Sequence, residues 1–310
     1  MNRVLQHLGS RYPIIQSPMG WIARAQLASA VCNAGGFGII ETSSGETENC
    51  QREIRAMADL TDQPFGVNLP LLFLRDDTMV RFVVEQGVRF VTTSAGNPAK
   101  FIGMLKEAGT TVYHSVATVR SAMKAVECGV DGLIVEGTEG GGFKNPDPVG
   151  LLVLLQAIRR RCDIPMVAAG GISDGIGMAA AFAAGAEGIQ MGTRFVSAEE
   201  SPVHANFKRA IIEAGDTDTW LVNNANLPPV RARKSETTAA LREGADGSAI
   251  LASIQDLYFG GDMEASVALI GQSAGLIEEV EPVAAIIERT VKQFFDVQEE
   301  SARRAAARSF

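Results

Sequence analysis

A chain of 310 residues, 46% hydrophobic and 21% charged, suits one large α/β domain with room for an appendage. A net charge of −8 tells against a nucleic-acid or anionic-membrane surface, and no apolar run reaches the roughly 18 residues of a bilayer span. The opening MNRVLQHLGSRYP lacks the sustained apolar core of a secretory signal, so a cytoplasmic location is expected.

Taken in order, the chain repeats a short apolar run, a loop, an amphipathic helical pattern and a closing glycine. The runs are Ile14-Ile15-Gln16, Gly36 to Ile40, Phe65 to Asn68, RFVTTSAG after Gly87, TTVYHS after Gly109, DGLIVEG after Gly129, Ile164 to Ala169 and Glu187 to Met191. Eight such runs within about 180 residues predict a parallel sheet covered by helices and closed into a (β/α)8 barrel. A doubly wound sheet is disfavoured, because the first strand ends in Ser17-Pro18-Met19-Gly20 and carries no GxGxxG. Cys32, Cys50, Cys128 and Cys162 are too widely spaced for a metal-binding CxxC pair or a dense disulfide framework. They are expected to be reduced, with Cys32 and Cys128 packing within helices.

The densest signal falls late. VAAGGISDG gives a buried strand that breaks into Gly170-Gly171, then a small-residue helix opened by Ser173 and Asp174 and closed by Gly185. AEGIQMGT repeats the device, ending in Gly192-Thr193. Two glycine turns of backbone N–H groups beside a helix N-terminus predict an anion site, and in an eight-stranded barrel the loops after the last two strands commonly hold a phosphate.

After Thr193 the pattern changes. Residues 197–265 predict a mainly helical lid, with a break at Pro228-Pro229 and a basic patch at Arg231, Arg233 and Lys234. The chain is then expected to return through a helix near Met263 to Leu276, and to end in a helix from Pro282 to Phe310 with a charged, alanine-rich tail. The domain reading is a barrel of residues 1–196 and 266–310 around a lid of residues 197–265.

Barrel enzymes work at the C-terminal ends of their strands. Those ends supply Pro18, Met19, Gly20, Asn68, Ser94, His114, Glu136, Gly141, Gly142, Ala169, Gly170, Gly171, Gln190, Gly192 and Thr193. This set is rich in amides, hydroxyls and bare backbone. It contains no metal-ligand cluster, and so suits a planar cofactor whose own ring does the chemistry, such as FMN.

The ordered series SPMG, AGGFG, GVN, TSAGNP, EGxExGG, AAGGISDG, QMGTRF and GQSAGLI resembles the nitronate monooxygenases, formerly 2-nitropropane dioxygenases. That family is similar to FMN-dependent enoyl-acyl-carrier-protein reductases and some NADH:quinone reductases. The resemblance covers about residues 12–280 and implies a barrel with a small lid, bound FMN and a substrate over the flavin. Met19 and Gly20 would then touch the ring, Asn68 its polar edge and Gly141 the ribityl chain, with Gly171, Gly192 and Thr193 on the phosphate. The expected partner is a small-molecule substrate, with NAD(P)H a candidate donor and a homodimer left open. Family members usually read GGH where this chain reads Gly141-Gly142-Phe143, so the proton-moving histidine is absent and Phe143 can only shape the substrate pocket. Lys144, otherwise an exposed loop residue, and His114, otherwise a satisfied barrel-mouth residue, are the catalytic candidates in its place. Three functions remain: a nitronate monooxygenase-like FMN oxidoreductase, an NAD(P)H-dependent quinone or enoyl-thioester reductase, and a flavin-binding protein without catalysis.

Overall fold

The computed structural model describes residues 2–307. All eight apolar runs are strands: β1 (Ile14–Gln16), β2 (Ile39–Ile40), β3 (Gly66–Pro70), β4 (Phe90–Ser94), β5 (Thr111–Val116), β6 (Gly132–Glu136), β8 (Met166–Ala169) and β9 (Gly188–Met191), with a short β7 (Gly142–Phe143) in the loop between β6 and β8. They pair in parallel in the order β1-β9-β8-β6-β5-β4-β3-β2, and a bridge from Ile15 to Phe37 brings the two ends together. The ring is a (β/α)8 barrel, as the regular alternation predicts.

Side chains alternate along each strand, so one face of every strand looks into the barrel and the other toward the helices. Ile15, Phe37, Ile39, Phe90, Tyr113, Ile134, Val167 and Ala169 share one buried cluster, which is the barrel interior. Val4 and Leu8, on a helix Arg3–Leu8 capped by Asn2, join that cluster and plug the bottom. Outward-facing Ile14, Val67, Val91, Val112, Leu133, Val135, Ala168 and Ile189 pack instead with the helix layer. The last helix, Val283–Ala307, lies against Gly175–Ala183 so closely that a Cβ on Gly175 would stand 2.2 Å from the Thr290 carbonyl oxygen. It fulfils the expected terminal helix; residues 308–310 lie outside the described residues.

Two expectations fail beyond the barrel. Residues 197–265 are not mainly helical: besides Ala205–Ile212, Glu236–Arg242 and Ile254–Tyr258 they hold an antiparallel hairpin, β10 (Thr219–Asn224) and β11 (Leu227–Arg233), which adds β7 as a third strand. Pro228 and Pro229 sit at the turn end, where the register shifts between Val222 and Asn224, so their missing N–H groups cost the ladder little. The hairpin's hydrophobic signal is one short alternating face, Val222, Val230 and Ala232, packed with Leu241 and Val267. Nor is there a helix over Met263 to Leu276, only a 3-10 turn at Gln272–Leu276. The backbone there bonds outward: Arg233 N donates to Ala268 O at 2.9 Å and Gln272 N to Glu139 O at 2.9 Å.

Candidate functional site

Strand register settles which side chains face the mouth. Asn68, Thr92 and Tyr113 lie in one row and Glu136, Ala169 and Gln190 in another, on the inner face; Ser94 and Ser115 follow by the period of two. Asn68 is tied in place by Thr42 Oγ1, which donates to its carbonyl at 2.7 Å, and by Thr92 Oγ1, which donates to its Oδ1 at 3.0 Å. Ser94 Oγ stands 3.4 Å from the same amide. Gln190 Nε2 donates to Ser17 Oγ at 3.3 Å, while its buried Oε1 has no partner among the described residues.

The loop after β1 closes one side. Met19 is half-buried, and its sulfur and Ser17 are the nearest atoms to the Cβ position of Gly192. Trp21 adopts φ 63°, a strained left-handed conformation held by its N–H donating to Glu41 Oε1 at 3.1 Å. Glu41 is fully buried and paired with Arg24 at 2.9 Å.

Gly170 and Gly171 have φ 97° and 74°, and Cβ atoms there would stand 2.9 Å from Gly140 N and 3.1 Å from Glu139 Cβ. Gly141 packs against the Ile270-Gly271 backbone with no room for a side chain, and Gly271 N donates to Thr193 Oγ1 at 2.9 Å. The glycine turns, the loop after β6 and the GQSAGL segment thus form one rim. Gly192 differs. Its φ of −104° suits any residue, and a Cβ would meet nothing nearer than 3.6 Å. The fold does not require glycine there, whereas a phosphate close to the backbone would. The expected helix N-terminus contributes less than anticipated, because Asp174 already accepts from Gly177 N at 2.8 Å and Gln293 Oε1 from Gly175 N at 3.1 Å. The N–H groups of the turns, with the buried Ser173 Oγ nearby, which has no partner among the described residues, are the donors that would fit an anion.

Phe143 leaves its ring 45% exposed. Lys144, expected as an exposed loop residue, has a side chain only 4% exposed and forms an ion pair with Glu136. Glu136, Gly137, Phe143, Lys144, Asn145 and Val149 line a pocket at this edge. His114 lies elsewhere: it follows inward-facing Tyr113, so it points to the helix layer, 4% exposed, with Nδ1 2.8 Å from Thr93 Oγ1. Burial pulls its pKa down to about 4. Among the described residues no cluster of His, Cys, Asp and Glu can hold a metal ion.

This architecture and rim match known proteins. The nitronate monooxygenase family model fits residues 2–79 and 72–293. The chain belongs to the nitronate monooxygenase family. Like its relatives in that family it is an oxidoreductase. It is 34% identical, over 80% of its length and 70% of the other's, to the (3aS,4S,5R,7aS)-5-hydroxy-7a-methyl-1-oxo-octahydro-1H-indene-4-carboxyl-CoA dehydrogenase of Mycobacterium tuberculosis. It is 30% identical to a nitronate monooxygenase of Paraburkholderia phytofirmans, over 67% of this chain and 70% of that one. The FabK structure from Thermotoga maritima superposes with a TM-score of 0.93 at 38% identity, covering 97% of this chain and 98% of that one.

Three neighbours of the site, Ser115 and Glu139 at the strand ends and Arg231 in the basic patch, carry no site role on sequence alone. Ser115 lies on the inner face 3.5 Å from Glu136, a placement that period-two counting from Tyr113 would have revealed. Glu139 accepts from Leu151 N at 2.9 Å and so anchors the glycine-rich loop to the next helix. Arg231, far from being part of a surface patch, is buried and donates from Nε to Thr138 O at 2.7 Å. No local sequence signal foretells that contact.

Proposed function

We propose that this protein is an FMN-dependent oxidoreductase that works in the reductive direction on a small acyl thioester, with NADH or NADPH as donor. The observation that carries the cofactor is Gly192, a position where the fold leaves room for a side chain and the chain keeps bare backbone, beside the left-handed turn at Gly170-Gly171. Gly171, Gly192 and Thr193 would hold the phosphate, Gly141 and Gly142 the ribityl chain, and Pro18, Met19, Gly20, Asn68, Ser94, Ala169 and Gln190 the ring. Gln190 Oε1, buried without a partner, is an acceptor suited to a ring N–H. FMN in this place supplies the hydride chemistry that no side chain of the mouth can perform.

The direction of the reaction follows from the acids and bases. Proton abstraction from a neutral nitroalkane needs a base over the ring, and Phe143 stands where the family resemblance sets one. His114 points away from the mouth, and Lys144 is engaged by Glu136. Similarity to a carboxyl-CoA dehydrogenase supports a thioester as the substrate class. Nitronate oxidation is a second reading, supported by the family model and by a nitroalkane oxidase structure from Streptomyces ansochromogenes, 25% identical with a TM-score of 0.85. A nitronate is already deprotonated and requires no base.

Purification without added flavin tests the cofactor. Yellow protein that releases FMN, without adenine, on heating is expected. Colourless protein that takes up no FMN would overturn the proposal.

A further inference from the structure

One charge pair at the mouth joins the end of β6 to the residue that follows β7. Glu136 ends β6 on the inner face, and its carboxylate meets Lys144 Nζ on one oxygen while the other lies 3.5 Å from Ser115 Oγ. Lys144 is placed by the hairpin, since its N–H donates to Pro229 O at 2.7 Å, and its Nζ stands 3.2 Å from the Cβ position of Gly140 against the glycine-rich loop. A lysine side chain only 4% exposed is costly unless paired, and among the described residues this one rests on a single carboxylate. An ammonium has three N–H donors, and Glu136 uses one. The pocket lined by Phe143, Asn145 and Val149 opens beside the remainder.

We propose that Lys144 is the proton donor of this site, held in place by Glu136, and that it acts on an α,β-unsaturated acyl thioester; this rests on the FMN-dependent reading above. The ammonium donates to the thioester carbonyl oxygen when the substrate binds. As a hydride reaches the β-carbon, the electron pair of the C=C bond moves to the α-carbon. One N–H bond of Lys144 breaks and the α C–H bond forms. The substrate gains two electrons and one proton beyond the hydride's own atom, the nicotinamide donor is oxidised by the same two electrons, and Lys144 recovers its proton from water. Phe143, which has no proton to give, covers the acyl chain.

The test uses the full-length yellow protein, with crotonyl-CoA as substrate and butyryl-CoA, which has no double bond to reduce, as the binding probe. Lys144→Met should keep its FMN, lose about 10²–10⁴-fold in kcat for crotonyl-CoA, and bind butyryl-CoA about tenfold more weakly by calorimetry. In D2O the wild type should place deuterium on one face of the α-carbon, and the residual product of Lys144→Met should be stereorandom. The double variant Lys144→Met/Glu136→Gln, which removes both charges of the pair, should behave the same if the single variant misfolds. A yellow Lys144→Met or double variant with wild-type turnover, butyryl-CoA affinity and α-carbon stereochemistry would overturn the proposal. Wild-type protein without flavin would instead overturn the cofactor reading on which it rests.

Discussion

Burial holds His114 neutral, and that makes it a structural pH sensor. Its pKa falls from about 6.5 to about 4, so the unfolded chain binds the proton more readily between those values. The contribution to stability is therefore fully present above about pH 6.5 and is lost as pH falls toward 4. At roughly 1.4 kcal/mol per unit, the wild type should lose on the order of 2–3 kcal/mol between pH 6.5 and 4.5 that His114→Gln does not lose. Urea denaturation of both proteins at the two pH values checks this, and equal losses would contradict it. Gly192 makes a second prediction. Because a Cβ there meets nothing nearer than 3.6 Å, Gly192→Ala should fold with near wild-type stability, while Gly192→Asp sets a like charge against the phosphate and should purify with little flavin. The flavin-to-protein absorbance ratio reads the difference, and full flavin content in Gly192→Asp would refute the phosphate site. At this scale, the strand ends expected to hold the cofactor include Asn68, Glu136 and Gln190, whose side chains the register turns to the inner face. His114 was misplaced because position at a strand end was weighed without the side-chain period: Tyr113 takes the inner face, and its neighbour must take the outer one.

Elements were legible where their signal is local. Each barrel strand is a compact apolar run between a glycine and a loop, and its buried partners are of the same kind, so composition alone marks it. The hairpin β10–β11 escaped because its apolar face has few residues and its prolines, at the turn end, look like a break. Its importance also depends on contacts distant in sequence: β11 pairs with β7, and Arg231 spans 93 residues to reach Thr138 O. Removing that buried guanidinium in Arg231→Met leaves the Thr138 carbonyl and Thr219 hydroxyl without their donor. The variant should lose about 1.5–3 kcal/mol of stability, and the loop of residues 138–145 should become more open to limited proteolysis. Unchanged denaturation and cleavage would show that the hairpin holds the loop without this contact.

For the whole molecule, the barrel provides a rigid ring of short strands, and the proposed function rests on the loops at one rim: the segments around Met19, Gly141, Gly171, Gly192 and Gly271. The family resemblance made that rim legible, and the one departure within it, Phe143, is what separates the substrate readings. Neutral nitroalkanes should be oxidised at least about 10²-fold more slowly than the corresponding nitronates, and Phe143→His should narrow the gap. Rapid turnover of a neutral nitroalkane that is lost in His114→Ala would make His114 the base after all. The central claim, a nicotinamide-reduced FMN enzyme, is tested most directly by an anaerobic absorbance titration of the purified protein, first with NADH or NADPH and then with crotonyl-CoA or a nitronate. The account predicts that the flavin band bleaches with one of the two nicotinamides and returns on adding crotonyl-CoA. A band that neither nicotinamide bleaches, but that a nitronate does, would contradict it.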